Sequence, residues 1–230
     1  MITSLDSLFY VALPYMAVAT FLAGTIQRYR HRPFTYSSLS TQFFENRAHF
    51  WAMTPFHYGI ILVLAAHFLA FVFPSVFLAW NAVPTRLYAL EVVGLALGVM
   101  TLIGFAAVIV RRLTNSKVRA VTTTMDWVVY AVLMFQIVTG VALAVAHPWG
   151  SSWFAAAMSP YLWSLVTFRP DVAYVAALPW LVQLHLINGS LFFLVFPFSR
   201  LVHLLVAPFP YLWRRPQVVR WTSPNPAGAK

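Results

Sequence analysis

Five stretches of this 230-residue chain are each long and apolar enough to cross a lipid bilayer, and that limits the fold more than anything else in it. A transmembrane helix needs about 20 predominantly apolar residues. The stretches cover residues 7–27, with Pro14 placed to kink the first, then 51–73, 87–110, 126–146 and 178–206. None shows the alternation of a barrel strand, and each is too long for one. With no water in hydrocarbon, a single-pass segment must satisfy its backbone internally, which a helix does. The expected fold is therefore all-α: an integral membrane bundle of five transmembrane helices over residues 1–210. A basic, proline-containing tail follows at 211–230.

Composition agrees. The chain is 61% hydrophobic and 9% charged, whereas about a quarter of residues are charged in soluble domains. The start, MITSLDSLFYVALPYMAVATFLAG, has no basic region and no clear small-residue cleavage site, so it reads as a retained first span. The net charge of +10 comes from short basic clusters beside apolar runs, without a basic helix or an aromatic platform. Such clusters contact lipid headgroups and set topology; they do not point to nucleic acid. Sorting them by segment gives the orientation. Thirteen of the fifteen Lys and Arg residues fall on alternate segments, and only Arg86 and Arg169 on the others. By the positive-inside rule the N-terminus lies outside and the C-terminus is cytoplasmic. There is no cysteine, which excludes disulfides, thiolate zinc, cysteine-held iron–sulfur clusters and covalently attached haem.

Histidines interrupt this apolar chain. FHYGIILVLAAHFLA, residues 56–70, carries His57 and His67 inside the second span, and the fifth carries His185 and His203. His31, His49 and His147 fall in loops or at a span end and read as solvated or interfacial. Ionisable groups inside a bilayer are costly and mark function by default. His57 and His67 differ by about 15 Å in height and about 80° in direction on a helix. His185 and His203 are five full turns apart, so they point the same way, about 27 Å apart on a straight helix. Because the two spans are antiparallel, His67 pairs with His185 in an outer layer and His57 with His203 in an inner one. Two stacked imidazole pairs fit two haems of b type, each with two axial histidines. Zinc fits less well, since no carboxylate or thiolate stands nearby. Four histidines that only hydrogen-bond neighbouring helices are the alternative. The unequal spacings call for helix tilt or a bend at Pro197.

Gly59, Ala65, Ala66 and Gly189 are small enough to admit a porphyrin, or equally to pack helices. Gly94 and Gly98 form a lone GxxxG. Arg111, Arg112 and Arg200 are candidates to pair with inner-haem propionates, or serve topology alone.

FHYGIILVLAAHFL, QLHLINGSLFFLVFPFSRLVH and RRLTNSKVRAVTTT resemble the gamma subunit of respiratory nitrate reductase, a five-helix membrane cytochrome b. The resemblance runs from the first span to about Trp213 and is most specific in the histidine spacings and in FPFSRLVH. It implies a subunit of a bacterial or archaeal cytoplasmic membrane that anchors a cytoplasmic iron–sulfur beta subunit and a molybdenum alpha subunit. It implies that quinol from the membrane pool is oxidised near the outer, distal haem, held by His67 and His185. Electrons then pass to the proximal haem, held by His57 and His203. No nitrate-reducing site would lie on this chain. Where the best-known members have a quinone-contacting lysine, this chain has Arg86, which keeps the charge but changes donor geometry. Two other readings stay open: a related module in a nitrite-oxidising complex or another reductase, with a different partner or reversed flow, and a haem-free membrane anchor. A transporter is disfavoured, since no inverted halves or broken helices stand out.

Overall fold

A computed structural model describes residues 4–38, 40–41 and 47–206; the proposed tail at 211–230 lies outside them. Among the described residues the secondary structure is helical, with no strand. Five helices are long and apolar enough to cross a membrane: Leu5–His31, Ala48–Val72, Pro84–Thr114, Thr124–Ala146 and Trp180–Phe198. Their main α-helical parts are α1 (Leu13–His31), α2 (Arg47–Val72), α3 (Pro84–Thr114), α4 (Thr124–Ala146) and α5 (Trp180–Val195).

Local chemistry sets the boundaries. Pro84 opens α3, where its missing N–H costs nothing. Thr123 and Asp126 cap α4 reciprocally: the Thr123 hydroxyl accepts from the Asp126 N–H, and the Asp126 carboxylate accepts from the Thr123 N–H. Pro14 acts on the turn before it. A proline removes one helical donor and clashes with the carbonyl four residues back, and residues Leu8–Ala12 widen into a π-helical turn. That carbonyl belongs to Tyr10, and the fully buried Tyr161 hydroxyl donates to it at 2.7 Å. Burial pushes the Tyr161 phenol above the ordinary tyrosine value, so it remains a donor. Tyr161→Phe strands the Tyr10 carbonyl in the core, and a buried unpaired acceptor costs about 1–3 kcal/mol. A lower thermal unfolding midpoint in detergent, with helix content at 20 °C unchanged, is the expected result.

The helices α2 and α3 cross closely because glycines remove the side chains in between. A Cβ on Gly104 would stand 2.6 Å from the Phe56 nitrogen, and one on Gly59 would collide with the Thr101 hydroxyl. Gly59 is thus taken up by helix packing. Ala52, Phe105, Val108, Leu133 and Ile137 fill the space between α2, α3 and α4. A second apolar cluster, including Tyr10, Leu143, Met158, Tyr161 and Val182, joins the starts of the first and fifth spans to the segment after α4.

That segment is largely helical, with turns at Gly150–Trp153, Phe154–Met158 and Ser159–Val166. It is fastened to the end of α2: the Ser159 hydroxyl donates to the Ala70 carbonyl, and the Trp163 indole donates to that of Phe71, both at 3.0 Å.

The fifth span breaks where Pro197 had suggested a bend. The α-helix stops at Val195, a 3₁₀ turn covers Phe196–Phe198, Ser199 is extended, and a second 3₁₀ segment covers Arg200–Val206. Arg28, near the end of α1, donates from one guanidinium nitrogen to the carbonyls of Pro197 and Ser199, each at 2.7 Å. Gly24 makes room for the break: a Cβ there would lie 2.9 Å from that of Pro197.

Candidate functional site

The break delivers His203 to α2. The rings of His57 and His203 stand 6.4 Å apart, centre to centre, with 63° between their planes. His57 points its Nδ1 at the Met53 carbonyl, at 2.8 Å, and His203 points its Nδ1 at the Arg200 carbonyl, at 2.7 Å. A carbonyl only accepts, so in the neutral ring the proton sits on Nδ1 and Nε2 keeps a lone pair. His67 is oriented alike, with its Nδ1 at 2.8 Å from the Val63 carbonyl. Metal-bound histidines characteristically use their second nitrogen in this way, which fixes tautomer and ring direction.

His185 differs. Its Nδ1 meets the Thr139 hydroxyl and its Nε2 meets the Gln136 amide, both at 2.9 Å and both on α4. The ring lies against Gly140, where a Cβ would come within 3.2 Å of Cε1. Asn188, one turn further along α5, donates to the Gln136 carbonyl oxygen at 2.6 Å and to the Val132 carbonyl at 3.0 Å. The His67 ring stands 5.3 Å from that of Phe154, centre to centre and nearly perpendicular to it. So the structure brings the inner pair into ring contact, while it shows no such contact for the outer pair and turns His185 onto α4.

The inner pair fits haem. An iron between two imidazoles, with metal–nitrogen bonds of about 2 Å, puts the ring centres about 6 Å apart, close to the spacing of His57 and His203. Three of the four rings hold the tautomer that a metal requires. The fourth holds it too, but iron at its Nε2 requires the Gln136 amide to step aside. Among the described residues no three His, Asp or Glu side chains gather at one point.

The arginines have protein partners. Arg111 donates to the Thr41 hydroxyl and carbonyl at 2.8 and 3.0 Å. Arg112 donates to the Thr122 hydroxyl at 2.9 Å and lies over the Tyr130 ring, with its Nε buried and unpaired. Arg200 pairs with Asp126 at 3.0 Å and donates to the Val121 carbonyl at 2.7 Å. Through this pair the α4 cap holds the segment that carries His203. Arg86 lies in the first turn of α3, exposed, with its guanidinium 5.3 Å from the centre of the Trp80 ring. Beside it, Glu91 accepts from the Ser151 N–H and hydroxyl, and Asn81 donates to Ser151 and Ser152. Gly94 has open space where a Cβ would stand, and Gly98 faces Val141 of α4, so they do not act as one motif.

Sequence reasoning passed over Arg28, Asp126, Gln136, Thr139 and Asn188. Gln136 and Thr139 carried a usable signal, since each is polar within an otherwise apolar span. Arg28 carried none, because arginine at a span end looks the same whether it clamps a neighbour or faces a headgroup.

Comparison with known proteins gives a consistent answer. The model of the nitrate reductase gamma subunit family matches residues 6–222. The respiratory nitrate reductase 2 gamma chain of Escherichia coli K12 is 34% identical over 96% of this chain and 99% of its own length. The nitrate reductase gamma chain of Bacillus subtilis is 27% identical over 92% of this chain and 96% of its own. The nitrate reductase-like protein NarX of Mycobacterium tuberculosis is 31% identical over 91% of this chain, which spans a third of that longer protein. With five membrane-length helices and a match over nearly its whole length, the chain belongs to the nitrate reductase gamma subunit family.

Proposed function

We propose that this chain is the diheme cytochrome b subunit of a respiratory nitrate reductase complex, and that it oxidises quinol from the membrane pool near the outer face. When bound, the two haems supply the one-electron chemistry that links quinol to a cytoplasmic iron–sulfur beta subunit and a molybdenum alpha subunit. The observation that carries this reading is the inner pair, with its rings 6.4 Å apart and both Nδ1 atoms tied to backbone carbonyls.

His57 and His203 hold the inner, proximal haem and present Nε2 to it. His67 and His185 hold the outer, distal haem. Arg86, at the opposite end of the bundle from Arg28 and Arg200, offers a cation to a quinol oxygen. The Trp80 ring beneath it steadies the guanidinium through a cation–π contact. The N-terminus lies outside and the C-terminus in the cytoplasm of a bacterial or archaeal cell. Protons from quinol are then released outside while electrons leave inside. Each charge separated in this way across 100 mV stores about 2.3 kcal/mol.

The test is reduction by quinol. In membranes containing the chain, a water-soluble menaquinol analogue should reduce a b-type spectrum, and His67→Ala should abolish that reduction. Unchanged quinol oxidation in His67→Ala would refute the outer site.

A further inference from the structure

We propose that Asp126 is a positioning residue for His203, and that it acts through Arg200. This rests on the reading of His57 and His203 as the inner ligand pair. The two rings are held very differently. His57 stands inside the 26-residue α2, whose own backbone fixes it. His203 stands in the seven-residue 3₁₀ segment Arg200–Val206. A 3₁₀ run of that length has poor hydrogen-bond geometry and does not hold itself in place. Its position depends on what grips it from outside. Arg28 grips the break before it, and Val202 is buried within it. Arg200 supplies a further grip, and it is the one closest to the ligand ring.

The Arg200 carbonyl receives the proton on His203 Nδ1 at 2.7 Å. The Arg200 guanidinium donates to the Asp126 carboxylate at 3.0 Å and to the Val121 carbonyl at 2.7 Å. One residue is thus tied by its side chain to the start of α4 and by its backbone to the ring. Displacing Arg200 displaces the acceptor that sets the direction of His203, and with it the 6.4 Å spacing from His57.

Asp126 does two jobs with two oxygens. Oδ2 accepts from the Thr123 N–H at 2.8 Å and closes the α4 cap, while Oδ1 faces Arg200. The side chains of Arg200 and Asp126 are 20% and 8% exposed, so water and salt screen the pair little. The two jobs are separable by substitution. In Asp126→Asn the amide oxygen keeps the Thr123 bond, and the amide nitrogen then meets the guanidinium donor to donor. Thr123→Ala removes the other half of the cap, the bond from the Asp126 N–H to the Thr123 hydroxyl, and leaves the ion pair.

The experiment has two readouts: electron paramagnetic resonance of the ferric haem-loaded chain in membranes, and hydrogen exchange of the 200–206 amides. The signal lost in His203→Ala identifies the inner haem. That signal depends on the angle between the two imidazole planes, here 63°, which a general loss of stability does not move. Asp126→Asn and Arg200→Gln are each expected to shift the inner signal, to speed exchange over 200–206 and to weaken inner-haem binding about tenfold, as when an outer-shell partner is lost. The double variant is expected to do no more than either single one, since both break the same contact. Thr123→Ala is expected to match wild type in both readouts. An unchanged inner signal and unchanged exchange in either single variant, or the same changes in Thr123→Ala, would overturn the role of Asp126. A His203→Ala chain that loses no haem signal would overturn the ligand reading itself, and this inference with it.

Discussion

His57→Ala is expected to leave one haem of two and to stop electron transfer from quinol to the partner subunits. In the proposed arrangement the inner pair lies between the outer site and the basic end, where His203 and Arg200 stand together. A helix carrying alanine at position 57 still packs, because the α2–α3 crossing depends on Gly59, Gly104 and Phe56. The fold therefore survives and the outer haem stays reducible by quinol. Measured in the complex, nitrate reduction with a quinol donor falls to background, while a soluble dye that bypasses the membrane subunit still supports it. If His57→Ala keeps both haems and full quinol-driven turnover, the inner ligand pair is misassigned.

Arg28→Gln is expected to weaken the inner haem selectively, although Arg28 touches neither histidine. Its two bonds to the Pro197 and Ser199 carbonyls hold the break that turns residues 200–206 toward α2. Hydrogen bonds to charged groups contribute about 1.5–3 kcal/mol each. Losing that restraint should lower inner-haem affinity about 10–100-fold, the range seen when outer-shell partners of metal ligands are removed. Arg30, exposed two residues away, supplies the control. Arg30→Gln removes the same charge from the same end of the bundle and should leave haem content unchanged. Equal losses in the two variants would assign the effect to charge and topology instead of the clamp.

Arg28 also marks the limit of what the sequence made legible. The five spans were readable because hydrophobic length is a property of the chain itself, and the helices fall close to their expected positions; α4, expected at 126–146, runs Thr124–Ala146. The four histidines were readable for the same reason, as costly groups in apolar surroundings. The unequal spacings of about 15 Å and about 27 Å pointed to a bend at Pro197, and the helix does stop there. What holds the bend was not readable, since Arg28 and Pro197 are 169 residues apart in sequence. The basic residues at the same end were divided between topology and propionates. Side-chain partners such as Thr41 for Arg111 and Asp126 for Arg200 give them a bracing role that charge counting does not see. His185 shows the converse. Helix heights led to an expected pairing with His67, whereas the hold that α4 has on it came only from side-chain geometry.

The most direct measurement is the haem content of the purified chain, by pyridine haemochrome against quantified protein, with a dithionite-reduced spectrum. Two b haems per chain are expected, falling to one in each of His57→Ala, His67→Ala, His185→Ala and His203→Ala. A folded chain prepared with haem available that binds none, or that keeps two when these histidines are replaced, would contradict the electron-transfer role and leave a membrane anchor.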